Sequence, residues 1–267
     1  INGRITKKSF IRWKSFKNFS YKIFSKFNLC LTSNSESKNF LKKLGAKKVI
    51  KIGNLKFSQL EKNSISIHQN LKRFIKSKKV WCASSTHYNE EELCGQVHKK
   101  LKQKYKNLLT IIIPRHINRA SSIKDSLNKE GLKVHLHEPN TKIEYGTDIY
   151  IVNTYGQTKS FYNYCKNVFL GGSIINHGGQ NPLEAARFGC NILHGPNVSN
   201  FSEIYQFLKQ NKISFKINRS KIMSRTLMKL FSNNKNSNQI KKKINLIGNK
   251  ILNDTYKEIG LLLKNEI

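Results

Sequence analysis

What most constrains this chain is a rhythm of short apolar runs, each ending in small, polar or glycine residues, with helical patterns between them. Residues 29–32, 49–52, 80–83, 108–113, 133–137, 149–152 and 168–170 read as strands. Residues 35–44, 89–105 and 123–130 read as helices. The first and third close at Gly45 and Gly131, where glycine takes the left-handed turn past a helix end. Glu90, Glu91 and Glu92 fall in the first turn of the second helix, where the peptide dipoles favour carboxylates. Strands alternating with helices predict an α/β architecture, a parallel sheet covered on both faces. At 267 residues the chain exceeds a typical single domain, so one large or two smaller α/β domains are expected. It opens at Ile1 as the middle of a fold would, which reads as a fragment.

The ends carry other patterns. Residues 6–27 mix lysine with Phe10, Ile11, Trp13, Phe16, Phe19, Tyr21, Ile23 and Phe24. That is a basic amphipathic pattern, usable against a core or at a membrane surface. The polar stretch 57–78 holds the inter-domain linker near its start. Residues 232–241 read as a loop, and 240–263 as a final helix with Ile240, Ile244, Ile247 and Ile251 on one face.

The net charge of +34 raises the question of nucleic acid. Only eight of the 49 basic residues are arginine, the side chain that suits bidentate recognition of phosphate and guanine. No aromatic-basic recognition motif accompanies them, so no nucleic-acid partner is expected. A solvated lysine surface is the ordinary reading; attraction to anionic lipid headgroups is the functional one. Five widely spaced cysteines, none in a C-x-x-C pair, fit reduced thiols in a cytosolic setting. No apolar run reaches the ~18 residues of a membrane span.

Ligands of open parallel sheets bind beyond the carboxyl ends of the strands. Four segments there stand out. Ser84-Ser85-Thr86-His87 follows one strand and either caps the next helix or holds an anion. Pro114-Arg115-His116 ends the most apolar strand, so Arg115 is placed to meet phosphate. Asn153-Thr154-Tyr155-Gly156-Gln157 follows a third, with Gly156 admitting close approach to the backbone. In the fourth, Gly171-Gly172-Ser173 follows a strand and His177-Gly178-Gly179-Gln180-Asn181-Pro182-Leu183-Glu184 opens a helix. Free amides at that start would seat an anion, and Glu184 would accept ribose hydroxyls. Neither G-x-G-x-x-G nor a P-loop is present, which removes support for hydride transfer and P-loop hydrolysis. His135, His137 and His194 lack a partner set and read as surface or core residues.

The string Gly171-Gly172-Ser173, then Gly178-Gly179-Gln180-Asn181-Pro182-Leu183-Glu184-Ala185-Ala186, then Gly195-Pro196 and Asn200-Phe201, closely resembles the 3-deoxy-D-manno-octulosonate (Kdo) transferases. Their signature is GGS…GGHNPLE-A…GP…NF. Asn2-Gly3-Arg4-Ile5-Thr6, Gly53-Asn54-Leu55-Lys56-Phe57, Ser85-Thr86-His87 with Glu91, and Pro114-Arg115-His116 extend the resemblance along nearly the whole chain.

It implies a glycosyltransferase B fold, two Rossmann-like domains with parallel sheets, the N-terminal one incomplete here. Residues 1–58 would be the remaining half of the N-terminal, membrane-side domain, 59–235 the donor-binding domain, and 236–267 a helix returning to the first. It implies inverting transfer of Kdo from CMP-Kdo to a lipid A precursor at the cytoplasmic face of the inner membrane, with neither metal nor cofactor. The implied CMP contacts are Pro114, Arg115, Tyr155, Gly156, Gln157, Asn181, Pro182, Leu183 and Glu184. Ser85, Thr86, His87, His116, Gly171, Gly172, Ser173, Gly178 and Gly179 would support them.

The implied general base is a glutamate upstream of Ile1. Loss of a general base costs ~10²–10⁴ in rate, so these 267 residues alone are expected to bind CMP without transferring sugar. The sequence departs from the family at Asn153, where an acidic residue is usual, and at Tyr155, Gln157 and Gln180, which replace Met, Glu and His. Competing readings are another GT-B enzyme, a sugar-nucleotide epimerase, a basic nucleic-acid binder, or a non-catalytic homologue serving as a scaffold.

Overall fold

A computed structural model describes residues 1–59, 66–138, 141–232 and 237–264. The chain divides into two compact units, Ile1–Leu60 with Lys242–Ile267, and Glu61–Lys241.

In the first unit, α1 (Lys7–Ser15) and α2 (Lys17–Phe24) precede β1 (Cys30–Thr32), α3 (Ser35–Lys43) and β2 (Val49–Lys51). β1 and β2 pair in parallel, and Gly3 bridges to Thr32 alongside them. The amphipathic stretch 6–27 is two helices broken at Phe16, whose ψ of 57° leaves the helical range. Phe24 packs with Leu41, Leu44, Ala46 and Val49, backed by Phe10 and Trp13. Ile11, Phe16, Phe19, Tyr21 and Phe27 stay exposed.

In the second unit, α4 (Gln69–Lys76), β3 (Lys79–Thr86), α5 (Glu90–Lys102), β4 (Leu108–Pro114) and α6 (Ala120–Lys129) come first. Next are β5 (Val134–Leu136), β6 (Ile149–Ile151), α7 (Thr158–Tyr162), β7 (Asn167–Leu170), α8 (Leu183–Arg187) and β8 (Asn191–His194). The last elements are α9 (Ser202–Gln210), β9 (Ser214–Lys216), α10 (Ser220–Ser232) and α11 (Ser237–Lys264). From Lys242 onward α11 belongs to the first unit, where Gly248 lies against Phe57 and Glu258 pairs with Lys48 at 3.4 Å.

Among the described residues the second unit's sheet runs β5-β6-β4-β3-β7-β8-β9, all strands parallel. β4 lies mid-sheet, which is why its sequence is a continuous apolar run rather than an alternation. Trp81, Val97, Leu101, Ile112, Leu127, Ile149 and Phe169 form the core between sheet and helices. Each such side chain removed from water contributes about 1.5–3 kcal/mol. The chain moves outward from β3 through β4 to β5, comes back as far as β6 beside β4, then restarts at β7 on β3's other side. The carboxyl ends of β3 and β7 therefore flank the point where the strand order reverses.

Several sequence expectations need correction. The polar stretch 57–78 contains a helix, α4, because Leu71 and Ile75, four residues apart, share one buried face. Of the expected loop at 232–241, residues 233–236 lie outside the described residues, and the chain is helical from Ser237. β3 does not stop at Ala83 but continues to Thr86. There the register shifts between Ser84 and Thr86, and Ser85 takes a φ of 55°. α8 spans only five residues, so the dipole that the Gly-rich segment was expected to exploit is short.

Candidate functional site

At the strand-order reversal the β3 bulge and the β7 loop are built against each other. Gly171 donates its N–H to the Ser84 carbonyl at 2.9 Å, and any Cβ on Gly171 would collide with the Ser85 backbone. Glu90, at the start of α5 and fully buried, closes the arrangement. Its carboxylate accepts from the N–H groups of His87 (3.0 Å), Gly172 (2.7 Å), Ser173 (3.1 Å) and Ile174 (2.9 Å). Four donors offset the cost of removing a carboxylate from water. Glu90 is therefore a structural clamp, a role the dipole argument for Glu90–Glu91–Glu92 misses because three of its four partners lie over eighty residues away.

The loop continues as a closed circuit. Gly179 donates to the Gly172 carbonyl at 2.8 Å, with φ of 75° at Gly179, 89° at Gly178 and 64° at Gly172. Gly195 N–H donates to Ser173 Oγ at 2.8 Å. Asn181 Oδ1 caps Leu183 N–H at 3.2 Å, and Gln180's carbonyl accepts from Tyr205 OH at 2.9 Å. The amides of Gly172, Ser173, Ile174, Gly179 and Leu183 are thus committed internally. Of the amides expected to face outward at that helix start, those of Gly179 and Leu183 are therefore taken. Leu183 itself is wholly buried, a packing residue rather than a surface one.

A histidine cluster fills the bulge side. The His87 ring lies 4.5 Å from that of His177 and 6.0 Å, edge on, from that of His116. Burial pushes the His87 pKa down, and His177, His116 and Arg119 add to it against the pull of Glu90. Its Nε2 is buried without a partner. Arg119 holds Glu91 in a two-pronged pair, 3.0 and 3.1 Å. Burial still dominates and raises the Glu91 pKa. Arg115 is exposed, its N–H fixed to the Thr86 carbonyl at 3.0 Å, while Pro114 is the buried last residue of β4.

A second group gathers beyond β6. Tyr155 and Gly156 are exposed, and Gln157 precedes α7. α7 is tied to β3 by Tyr162 OH and Ser84 Oγ at 2.8 Å, and to α8 by Lys159 and Glu184 at 3.5 Å. This joins two segments far apart in sequence into one rim. Lys159 was missed from sequence; its position two residues past Gln157 was the available signal. Asn153 Oδ1 and Thr154 Oγ1, in the loop after β6, are buried and unpartnered like His87 Nε2. His137 and His194 are core residues: His137 Nδ1 lies 2.6 Å from Tyr150 OH, and His194 Nδ1 lies 2.7 Å from the Gly195 carbonyl. Among the described residues no cluster of three or more His, Cys, Asp or Glu is arranged to hold a metal ion.

Comparison with known proteins agrees with this architecture. Residues 1–59 match the family described as 3-Deoxy-D-manno-octulosonic-acid transferase (kdotransferase). A 3-deoxy-D-manno-octulosonic acid transferase of Rickettsia felis is 31% identical over 90% of this chain and 52% of its own length. One from Haemophilus influenzae is 29% identical over 78% of this chain and 49% of its own. Among solved structures, the C-terminal CMP-Kdo binding domain of WaaA from Acinetobacter baumannii superposes with a TM-score of 0.59. It is 20% identical and covers 68% of this chain and 93% of that one.

A parallel sheet with a glycine-built rim at its strand-order reversal, together with these relatives, defines the fold as that of the GT-B glycosyltransferases. Within that class the chain is similar to 3-deoxy-D-manno-octulosonic acid transferases, at 30–31% identity over 90% of its length. It spans about half the length of the curated relatives it matches.

Proposed function

We propose that this chain carries the donor site of a Kdo transferase of lipopolysaccharide synthesis and grips the CMP moiety of CMP-Kdo along the carboxyl edge of the larger sheet. The observation that carries this is the set of orphaned buried polar atoms on that edge: His87 Nε2, Asn153 Oδ1 and Thr154 Oγ1. Buried polar atoms are normally paired, so unpaired ones after β3 and after β6, on the same edge of the sheet, are what a polar ligand would complete. Arg115, exposed at the tip of β4, supplies charge for the phosphate, and Glu184, held by Lys159, accepts ribose hydroxyls. Tyr155 and Gly156, both exposed, line the rest of that edge with Gln157 and Asn181, over the buried Pro114, Pro182 and Leu183.

The reaction in this reading moves Kdo to a lipid A precursor with inversion, CMP departing as phosphate charge develops against Arg115. Neither metal nor cofactor takes part. The membrane side of the reading rests on residues 7–27, which hold α1 and α2. There Ile11, Phe16, Phe19, Tyr21 and Phe27 are exposed among Lys7, Lys8, Arg12, Lys14, Lys17, Lys22 and Lys26. Such a surface suits the cytoplasmic leaflet of the inner membrane.

Nucleotide selectivity tests the donor. Thermal stabilisation by CMP, with UDP giving little, is the expected result; equal stabilisation by UDP would favour a UDP-sugar enzyme.

A further inference from the structure

At the opposite edge of the larger sheet, the amino-terminal ends of β3, β7 and β8 floor a cavity of about 420 Å³. The Kdo-transferase reading gives it no role. Lys76, Lys78, Lys79 and Lys166 line it, and no aspartate or glutamate does. Two of these ammonium groups are positioned by rings rather than neutralised. Lys79 Nζ lies 4.8 Å from the centre of Tyr105 and 5.2 Å from that of Phe231; Lys78 Nζ lies 4.9 Å from that of Phe74. The cavity therefore concentrates positive charge that nothing among its lining residues offsets.

Its floor holds an unsatisfied acceptor. Asn191, the first residue of β8, is 4% exposed, and its Nδ2 donates to Asn167 Oδ1 at 3.0 Å. That bond fixes the amide's orientation and leaves Asn191 Oδ1 buried without a partner. A buried carbonyl oxygen of this kind calls for a donor such as a hydroxyl. Ile75 and Phe231 add apolar wall.

The geometry points to a second binding site here, for a phosphate ester that carries free hydroxyls. The lysines take the phosphate, Asn191 Oδ1 accepts from a hydroxyl, and the apolar wall accommodates a hydrocarbon portion. Phosphatidylglycerol in a membrane and soluble sn-glycerol 3-phosphate both present this chemistry.

The test uses the full 267-residue chain. Binding is measured to phosphatidylglycerol vesicles and to phosphatidic acid vesicles by co-sedimentation, and to sn-glycerol 3-phosphate by calorimetry. Lys76→Glu/Lys166→Glu is compared with Lys129→Glu/Lys209→Glu, a pair outside the cavity with the same charge change. The site predicts that the cavity pair weakens both ligands about tenfold more than the control pair does, as loss of direct phosphate contacts should. Asn191→Leu, which alters no charge, should erase the preference for phosphatidylglycerol over phosphatidic acid, with circular dichroism checking that it folds. Loss of vesicle binding alone marks a membrane headgroup as the occupant; loss of both ligands marks a site that also takes the free ester. Equal weakening by cavity and control pairs, or an unchanged lipid preference in Asn191→Leu, would overturn the proposal and leave only diffuse attraction of a +34 chain to anions.

Discussion

Glu90 Oε2 accepts a 2.7 Å hydrogen bond from the N–H of Gly172, joining the first turn of α5 to the loop after β7. Oε1 takes Ser173 and Ile174 from the same loop. One side chain thus holds the glycine-rich rim against the β3 bulge. Glu90→Gln would turn one of these acceptors into an NH₂ facing N–H donors, at a cost of about 1–3 kcal/mol. Hydrogen exchange at Gly172, Ser173 and Ile174 should accelerate, with the β4 amides unchanged; unaltered exchange in the loop would show that Glu90 does not hold it.

The close approach at Gly171 leads to a second expectation. A methyl group there would meet Thr86 Cα at 2.6 Å, backbone that cannot rotate away. Gly171→Ala is expected to cost about 1–3 kcal/mol through overpacking. Gly131→Ala is the contrasting case: nothing lies within 4 Å, so its cost comes from the φ of 81° alone, and urea unfolding should separate the two.

Stability should fall toward acid. His87, His135, His137 and His194 all have pKa values lowered chiefly by burial, so the unfolded chain takes up their protons first. Their penalty appears as pH drops below the ordinary histidine range. Asp148 acts further down. Burial works to raise its pKa, but hydrogen bonds from His98, Lys102 and the Lys133 N–H outweigh it and hold the carboxyl well below the usual range. Its contribution is present above the ordinary aspartate pKa and is lost as pH falls through the lowered value. Unfolding midpoints between neutral pH and pH 4 should decline, and His137→Phe should flatten the upper part of that decline.

Lys159→Met separates binding from folding. The Lys159–Glu184 pair is over a third exposed on both sides, so its loss should change stability by at most about 1 kcal/mol. CMP affinity should nonetheless fall, because Glu184 loses the partner that orients it. A variant with normal affinity would show that the pair is decorative.

The α/β rhythm was legible wherever apolar residues ran together, as in β4 and β7, since a strand buried on both faces leaves an unbroken hydrophobic signal. β9 and α4 were harder to see. Ser214-Phe215-Lys216 is a three-residue edge strand, and α4 shows only Leu71 and Ile75 buried among lysines. The glycine rim announced itself through Gly171, Gly172, Gly178 and Gly179. What fixes it did not, because Glu90's partners are backbone amides brought close only by the parallel sheet, and Lys159 meets Glu184 across a twenty-five-residue gap.

The most direct test of the donor site is calorimetric titration of the chain with CMP, repeated for Arg115→Ala and Glu184→Ala. Each variant should lose about tenfold or more in affinity, the worth of one charge-assisted hydrogen bond at roughly 1.5–3 kcal/mol. Two variants that bind CMP as tightly as the unaltered chain would contradict the placement of nucleotide on this edge of the sheet.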